Sequence, residues 1–356
     1  MTAAGDQRRA GVVGTGLIGG SVALALRAAG WHVTGSDINQ AHAARAAELG
    51  VIDAVGTDPA AEITFLAVPV SSVANEAHKA LRHGGVVTDV GSVKAPLVAA
   101  VQNAKFVGGH PMAGSEAIGV AGARADLFDA TTWVLTPTAA TDPGAQALVH
   151  SVVRSFGAEV LTLDAAQHDH LVATVSHVPH LTAASLMDLA ATQAQEHSAV
   201  LRLAAGGFRD MTRIAAGDPG IWLDICTDNR DAILGVLDDL VGSLTTMRAI
   251  VAEGDSAALE QRLLLAQHAR RSLPTGAPAA EQLAEIRVSI VDRPGELAAV
   301  TALATELSVN VYDVEVAHSA GEQRGRLILV VDASRAASLA DALRLQSRVV
   351  SVHELF

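Results

Sequence analysis

Four short stretches of this 356-residue chain carry side chains able to move a proton or grip an anion. The first is GGHPMAG, residues 108–114, with His110 between two glycines and a proline. A histidine kept only for packing needs neither. Imidazole titrates near neutrality, so His110 can accept a proton at physiological pH. The second is TDVGSVKAP, 88–96. Both stretches follow apolar runs that read as strands, so Ser92 is expected to hydrogen-bond His110. The pair suits removal of a hydroxyl proton while the carbon beneath loses hydride.

The third stretch, AAQHDHLVATVSHVPHL (165–181), holds His168, His170, His177 and His180. His177 and His180, at i,i+3, share a helix face. Helical zinc pairs are spaced i,i+4 around a glutamate, and no cysteine cluster helps, so no metal is expected. Pro179 should disturb the helix and free backbone groups near His180. The fourth, GGFRDMTRIAAGDPGIW (206–222), sets Asp210 three residues before Arg213 and ends on Trp222. The rigid guanidinium fork of Arg213 suits a carboxylate.

A cofactor site lies upstream. GVVGTGLIGGS supplies Gly14, Gly16 and Gly19 in the spacing G-x-G-x-x-G, after a strand and at the mouth of a helix. The first glycine permits the tight turn, the second lets a pyrophosphate approach, and the third lets helix pack on strand. The amides around Leu17 and Ile18 then face the anion. Asp37 ends the next strand, placed to accept from a ribose 2′-hydroxyl, which favours NAD over NADP. Val68, Pro69 and Ser71, in AVPVSS (67–72), end a further strand and should line the same cleft.

The elements that must position these residues follow from periodicity. Runs at 10–13, 32–36, 63–68, 86–90 and 106–108 read as strands, alternating with Ala/Leu helices. This rhythm predicts an α/β Rossmann-like parallel sheet domain over 1–164, with late strands at 132–136 and 159–163. From 165 to 272 the strand signal disappears; runs at 171–195, 198–215 and 228–251 favour an all-α domain. The stretch 273–282 carries two prolines and reads as a linker. Residues 283–356 read as βαββαβ, a small α+β domain.

Composition narrows the partners. The net charge of −13 argues against nucleic acid and anionic membrane, and it obliges any anionic substrate to find local positive charge. No apolar run approaches a membrane span, and the N-terminus lacks the apolar core of a secretory signal. The single cysteine, Cys226, excludes an internal disulfide and fits a cytoplasmic protein.

Taken together, GTGLIGGS, DVGSVK, GGHPMAGSE, SHVPH and GGFRDMTRIA…DPGIW resemble the prephenate/arogenate dehydrogenase family of tyrosine biosynthesis, over roughly residues 10–250. The resemblance implies a Rossmann-like domain, a helical dimerisation domain and an active site between them. It implies NAD as cofactor, His110 as proton acceptor, and Ser92 as its hydrogen-bond partner. Arg213, with Asp210 beside it, would bind a substrate carboxylate. His180 would face the substrate side chain, with Glu116, Trp222 and His168 at further substrate positions. The reaction implied is oxidative decarboxylation of prephenate; arogenate, with an amino group in place of the keto group, stays open. The C-terminal stretch around DRPGEL resembles an ACT domain, a regulatory amino-acid-binding module. It implies tyrosine as effector near Asp292, Gly295 and Asn310, and a homodimer.

Two rivals share some of these features. Other NAD-linked enzymes with helical second domains lack the GGHPMAGSE loop and usually place a lysine at the chemistry. A nucleotide and amino-acid sensor would bind the same ligands without turnover.

Overall fold

The computed structural model describes residues 7–114, 117, 119–197, 199–273, 283–291, 293–318, 324–346 and 348–354. Two sequence-predicted site residues, Glu116 and Asp292, lie outside these, as does most of the expected linker. The chain divides into two compact units, residues 1–244 and 245–356. The first unit holds the nucleotide-binding part and most of the helical part.

The first unit opens with β1 (Arg9–Val13), α1 (Leu17–Ala28), β2 (His32–Ser36), α2 (Gln40–Glu48) and β3 (Ala54–Val55). It continues with β4 (Ile63–Leu66), α3 (Val70–Leu81), β5 (Val86–Asp89), α4 (Ala95–Ala100) and β6 (Phe106–Pro111). Then come β7 (Thr132–Thr136), α5 (Pro143–Ser155) and β8 (Glu159–Thr162). The sheet order is β3-β2-β1-β4-β5-β6-β7-β8. Chain order reverses between β1 and β4, and ligands bind beyond the strand ends at such a switch point.

The expected all-parallel sheet is corrected at one seam. β7 runs antiparallel to β6, with His110 opposite Val134 and Pro111 opposite Trp133. Among the described residues between β6 and β7 there is only a three-residue 3-10 turn (Val120–Gly122), too short to cross back over the sheet, so the chain re-enters from the end it left. β7 is anchored by Trp133, fully buried among Phe65, Phe128 and Phe156. The strand carrying His110 is thereby stitched to the main aromatic core.

The helical part is more broken than its composition suggests. It comprises α6 (Ala165–Val172), a π-helical turn (Ala173–His177), α7 (Val178–Glu196), α8 (Ala199–Arg202), α9 (Gly206–Thr212), a 3-10 turn (Arg213–Ala216), α10 (Pro219–Asp228) and α11 (Arg230–Glu253). Pro179 sits in the first turn of α7, which continues directly from the π turn. The irregularity expected there lies just before it, in the π turn. Ala173, Val178, Ile225, Ile233 and Val236 form the local core.

The second unit holds the end of α11, then α12 (Ser256–Arg271), β9 (Leu283–Val291), α13 (Glu296–Glu306), β10 (Val311–His318), β11 (Arg324–Asp332), α14 (Ala333–Leu345) and β12 (Val350–Glu354). The antiparallel sheet order β10-β11-β9-β12 matches the expected βαββαβ arrangement. Alternate residues of β9, Ala284, Ile286, Val288 and Ile290, face the helices. Among the described residues no helix is long and apolar enough to cross a membrane.

Candidate active site

The dinucleotide end is built by missing side chains. Gly14 adopts φ +92°, and a Cβ there would stand 2.2 Å from the Ala67 carbonyl oxygen. Only glycine lets the loop close on residues 67–68, the start of AVPVSS. A Cβ on Gly19 would lie 1.8 Å from the Gly14 carbonyl oxygen, so α1 packs directly on its own loop. Gly16 differs, because a Cβ there would meet nothing within 4 Å. That open space lies at the start of α1, whose N-terminal residue makes no side-chain cap. Amides at Leu17 and Ile18 are thus left to an anion.

Asp37 stands at the end of β2 as expected, and does more than wait for a ribose. Its Oδ2 accepts from the Thr15 amide at 2.8 Å and the Thr15 hydroxyl at 3.2 Å, while Oδ1 accepts from the Asn39 amide at 2.9 Å. The carboxylate ties the glycine loop to β2 and keeps lone pairs on Oδ1 for a diol. Val68 is half-buried and Pro69 opens α3. The Ser71 hydroxyl donates to Asp224 Oδ2 at 2.8 Å, joining α3 to α10. The pocket thus fits a dinucleotide.

The chemistry end centres on β6. This strand extends through Pro111, so His110 stands on a strand end and not on a flexible loop. The two preceding glycines serve close approach. A Cβ on Gly109 would lie 2.7 Å from the Asp89 carbonyl oxygen, and one on Gly108 would lie 2.4 Å from Thr136 Oγ1. Asp89, fully buried at the end of β5, accepts from the Gly109 amide at 3.0 Å and the Gly91 amide at 2.8 Å, and pairs with the Lys94 ammonium. Breaking such a buried pair on one side costs about 3–5 kcal/mol.

His110 Nδ1 faces His168 Nε2 at 2.9 Å, and His168 Nδ1 faces Asp169 Oδ1 at 2.7 Å. Asp169 also accepts from the Lys94 and Ala95 amides, both at 2.7 Å, closing the exposed amides at the start of α4. The hydrogen bonds fix the protons in sequence. A carboxylate only accepts, so His168 carries its proton on Nδ1. With a proton on Nδ1 alone, His168 Nε2 accepts from His110 Nδ1–H and leaves His110 Nε2 bare. Burial holds the His110 imidazole well below its ordinary value, with the Lys94 ammonium, His168 and His177 adding to the effect. His110 is thus neutral near pH 7, its basic nitrogen unprotonated.

This geometry corrects two expectations. Among the described residues no hydrogen bond joins Ser92 to His110; half-buried Ser92 lies in the loop after β5, and His168 takes the Nδ1 position. His168, expected at the substrate, is fully buried with both ring nitrogens engaged inside the protein.

A second cluster lies on α7 and α10. His180 stacks on Trp222, ring centroids 3.6 Å apart and planes 13° from parallel. His177 meets the same indole edge-on at 6.1 Å. Its Nδ1 accepts from Asn229 Nδ2 at 3.0 Å, and Asn229 also donates to the Asp169 carbonyl at 2.9 Å. Burial pushes His177 down to about 4. Arg213 and Asp210 are exposed on the segment leading to Gly217, a residue next to His180 and Trp222. In the second unit Gly295 opens α13 with φ +93°, and exposed Asn310 precedes β10.

Sequence reading missed Asp89, Lys94, Asp169 and Asn229. Asp169 adjoins His168 in HDH, and Lys94 is one of three lysines in the chain. Their contacts to Gly109, to α4 and to His177 span many residues and leave no local pattern.

Comparison with known proteins agrees with this architecture. Residues 22–162 match the family model for the prephenate dehydrogenase nucleotide-binding domain, and residues 164–264 match that for its dimerization domain. A prephenate dehydrogenase of Bacillus subtilis is 33% identical over 334 residues, 89% of this chain and 90% of the relative. The crystal structure of prephenate dehydrogenase from A. aeolicus with hydroxyphenyl propionate and NAD+ superposes with TM-score 0.70 at 31% identity, covering 75% of this chain and 98% of that one. Synechocystis arogenate dehydrogenase gives TM-score 0.65 at 33% identity, covering 74% and 98%.

Proposed function

Because the chain belongs to the prephenate dehydrogenase family, we propose that it catalyses NAD-dependent oxidative decarboxylation of prephenate to 4-hydroxyphenylpyruvate, with His110 as the base. The bare Nε2 of a neutral His110, at the end of a strand in the sheet whose glycine loop cradles the dinucleotide, carries this reading. Gly14, Gly16, Leu17, Ile18, Gly19 and Asp37 hold NAD+, and Val68, Pro69 and Ser71 line its cleft. Bound there, NAD+ supplies the hydride acceptor.

His110 takes the hydroxyl proton as the ring carbon is oxidised. Arg213 grips a carboxylate, with Asp210 as its companion, and the His180–Trp222 stack bounds the side chain; Glu116 is the further substrate residue that the family resemblance implies. Loss of carbon dioxide leaves an aromatic ring, so the protein's main tasks are orientation and one proton transfer, the latter giving about 10²–10⁴-fold. Residues 283–356 form an ACT domain that senses tyrosine, with Gly295, Asn310 and Asp292 as its effector residues, and the enzyme is a cytoplasmic homodimer.

Arogenate is the second reading, favoured by the likeness to an arogenate dehydrogenase. Mixing enzyme and NAD+ with each substrate and following NADH absorbance tests both. Higher kcat/KM with prephenate is expected; the reverse order transfers the assignment to arogenate, and no NADH from either ends the functional reading.

A further inference from the structure

The proton that leaves the substrate hydroxyl must come back. Oxidation turns the C–OH carbon into a carbonyl, with the hydride passing to NAD+. When carbon dioxide departs, the electron pair of the broken C–C bond flows through the ring onto that oxygen, leaving a phenolate. The product is a phenol, so a proton is borrowed and then returned. A lone imidazole would hold it as a cation beside the Lys94 ammonium, in the surroundings that already disfavour charge on His110.

We infer that His168 and Asp169 form a proton relay behind His110, storing the borrowed charge away from the substrate. The inference rests on the reading of His110 as base. As the hydroxyl proton bonds to His110 Nε2, the Nδ1–H bond breaks and its proton bonds to His168 Nε2 across 2.9 Å. Positive charge then sits on His168, whose Nδ1–H contacts the Asp169 carboxylate at 2.7 Å. When the phenolate takes the proton back, His168 returns its proton to His110 Nδ1 and becomes neutral again. No atom is lost, and NAD+ is the oxidant.

Three features suit storage. The His110 and His168 rings meet edge to face at 76°, centroids 5.1 Å apart, which aims Nδ1 at Nε2. His168 is fully buried, so the stored proton is shielded from water. Asp169 is fixed by the Lys94 and Ala95 amides, and its residue's carbonyl by Asn229, so the acceptor cannot swing away. The groups around the pair are Lys94 from the start of α4, paired with Asp89 of β5; Asp169 of α6; and His177 of the π turn. Asp169 is the counter-charge that contacts His168 directly. His168 and Asp169 are positioning residues, because neither reaches substrate.

The test uses the full chain. His168→Gln keeps an acceptor toward His110 and a donor toward Asp169, but carries no proton. It is expected to fold, to bind NAD+ as the parent does, and to lose kcat by about tenfold or more. Asp169→Asn removes the counter-charge, so the protonated pair is disfavoured and the acid limb of kcat/KM moves to lower pH. If either variant fails to fold, nitrogen-15 NMR of the unmodified enzyme at neutral pH decides, with His110 expected protonated on Nδ1 and bare on Nε2. His168→Gln kcat within twofold of the parent, an unmoved acid limb in Asp169→Asn, or a proton on His110 Nε2 overturns the relay. Parent activity in the same assays separates that failure from failure of the functional reading.

Discussion

At the scale of the residue, His110 is useful because it is hard to protonate. Burial, Lys94, His168 and His177 all lower its affinity for a proton below the ordinary 6.5. A base works in its neutral form, so kcat/KM is expected to stay flat through neutrality and to fall only in acid below pH 6.5. A pH–rate profile of the free enzyme measures this, and an acid limb at or above pH 6.5 contradicts it. Replacing the ring tests the same point. His110→Asn should lower kcat by about a hundredfold or more while leaving the NAD+ dissociation constant within about twofold. Survival of turnover within a few-fold would move the base elsewhere.

His177 couples chemistry to stability. Its folded-state value is about 4 against 6.5 in the unfolded chain. Between these values the unfolded chain binds more protons, so stability rises with pH and is lost as pH falls from 6.5 towards 4. The full contribution is about 2–3 kcal/mol after solvent screening. His177→Gln, which does not titrate, should show a smaller drop in Tm between pH 7 and pH 5 than the parent. Equal drops would place the acid sensitivity in other groups.

At the scale of the element, the two glycines before His110 show what a sequence can and cannot disclose. GGHP reads as a flexible turn; in the fold it is strand, and its glycines admit Asp89, Thr88 and Thr136. Composition marks where glycine is used, while the reason lies in residues far along the chain. The glycine loop, the strand rhythm and the βαββαβ tail were legible because each rests on local periodicity or a short spacing. The reversed β7 and the His110–His168 contact were not, since they depend on pairing across 20 residues or more. The claim about close approach has a direct check. Gly109→Ala pushes a Cβ to 2.7 Å from the Asp89 carbonyl oxygen and 2.9 Å from Thr88 Oγ1, whereas a Cβ on Gly114 meets nothing within 4 Å. Gly109→Ala should therefore lower both Tm and kcat, the latter by about tenfold or more through misplaced His110, and Gly114→Ala should leave both nearly unchanged. Equal behaviour of the two variants would return the glycines to a turn role.

At the scale of the whole molecule, a chain of net charge −13 must take up an anionic substrate. The global field opposes entry, and with the buried Lys94 ammonium already paired to Asp89, local positive charge at the substrate is the role proposed for the Arg213 guanidinium. The dinucleotide loop and the His110 cluster lie within residues 1–244. The sensing role proposed for the C-terminal residues puts the amino acid near Gly295 and Asn310. In the full-length enzyme, tyrosine is expected to inhibit turnover. Asn310→Ala removes one side-chain amide from an exposed position before β10. It should weaken inhibition by about tenfold, the worth of one good hydrogen bond, and leave kcat without tyrosine unchanged. Undiminished inhibition of Asn310→Ala, competitive with prephenate, would mean that tyrosine binds beside His110 and that the C-terminal unit serves another purpose.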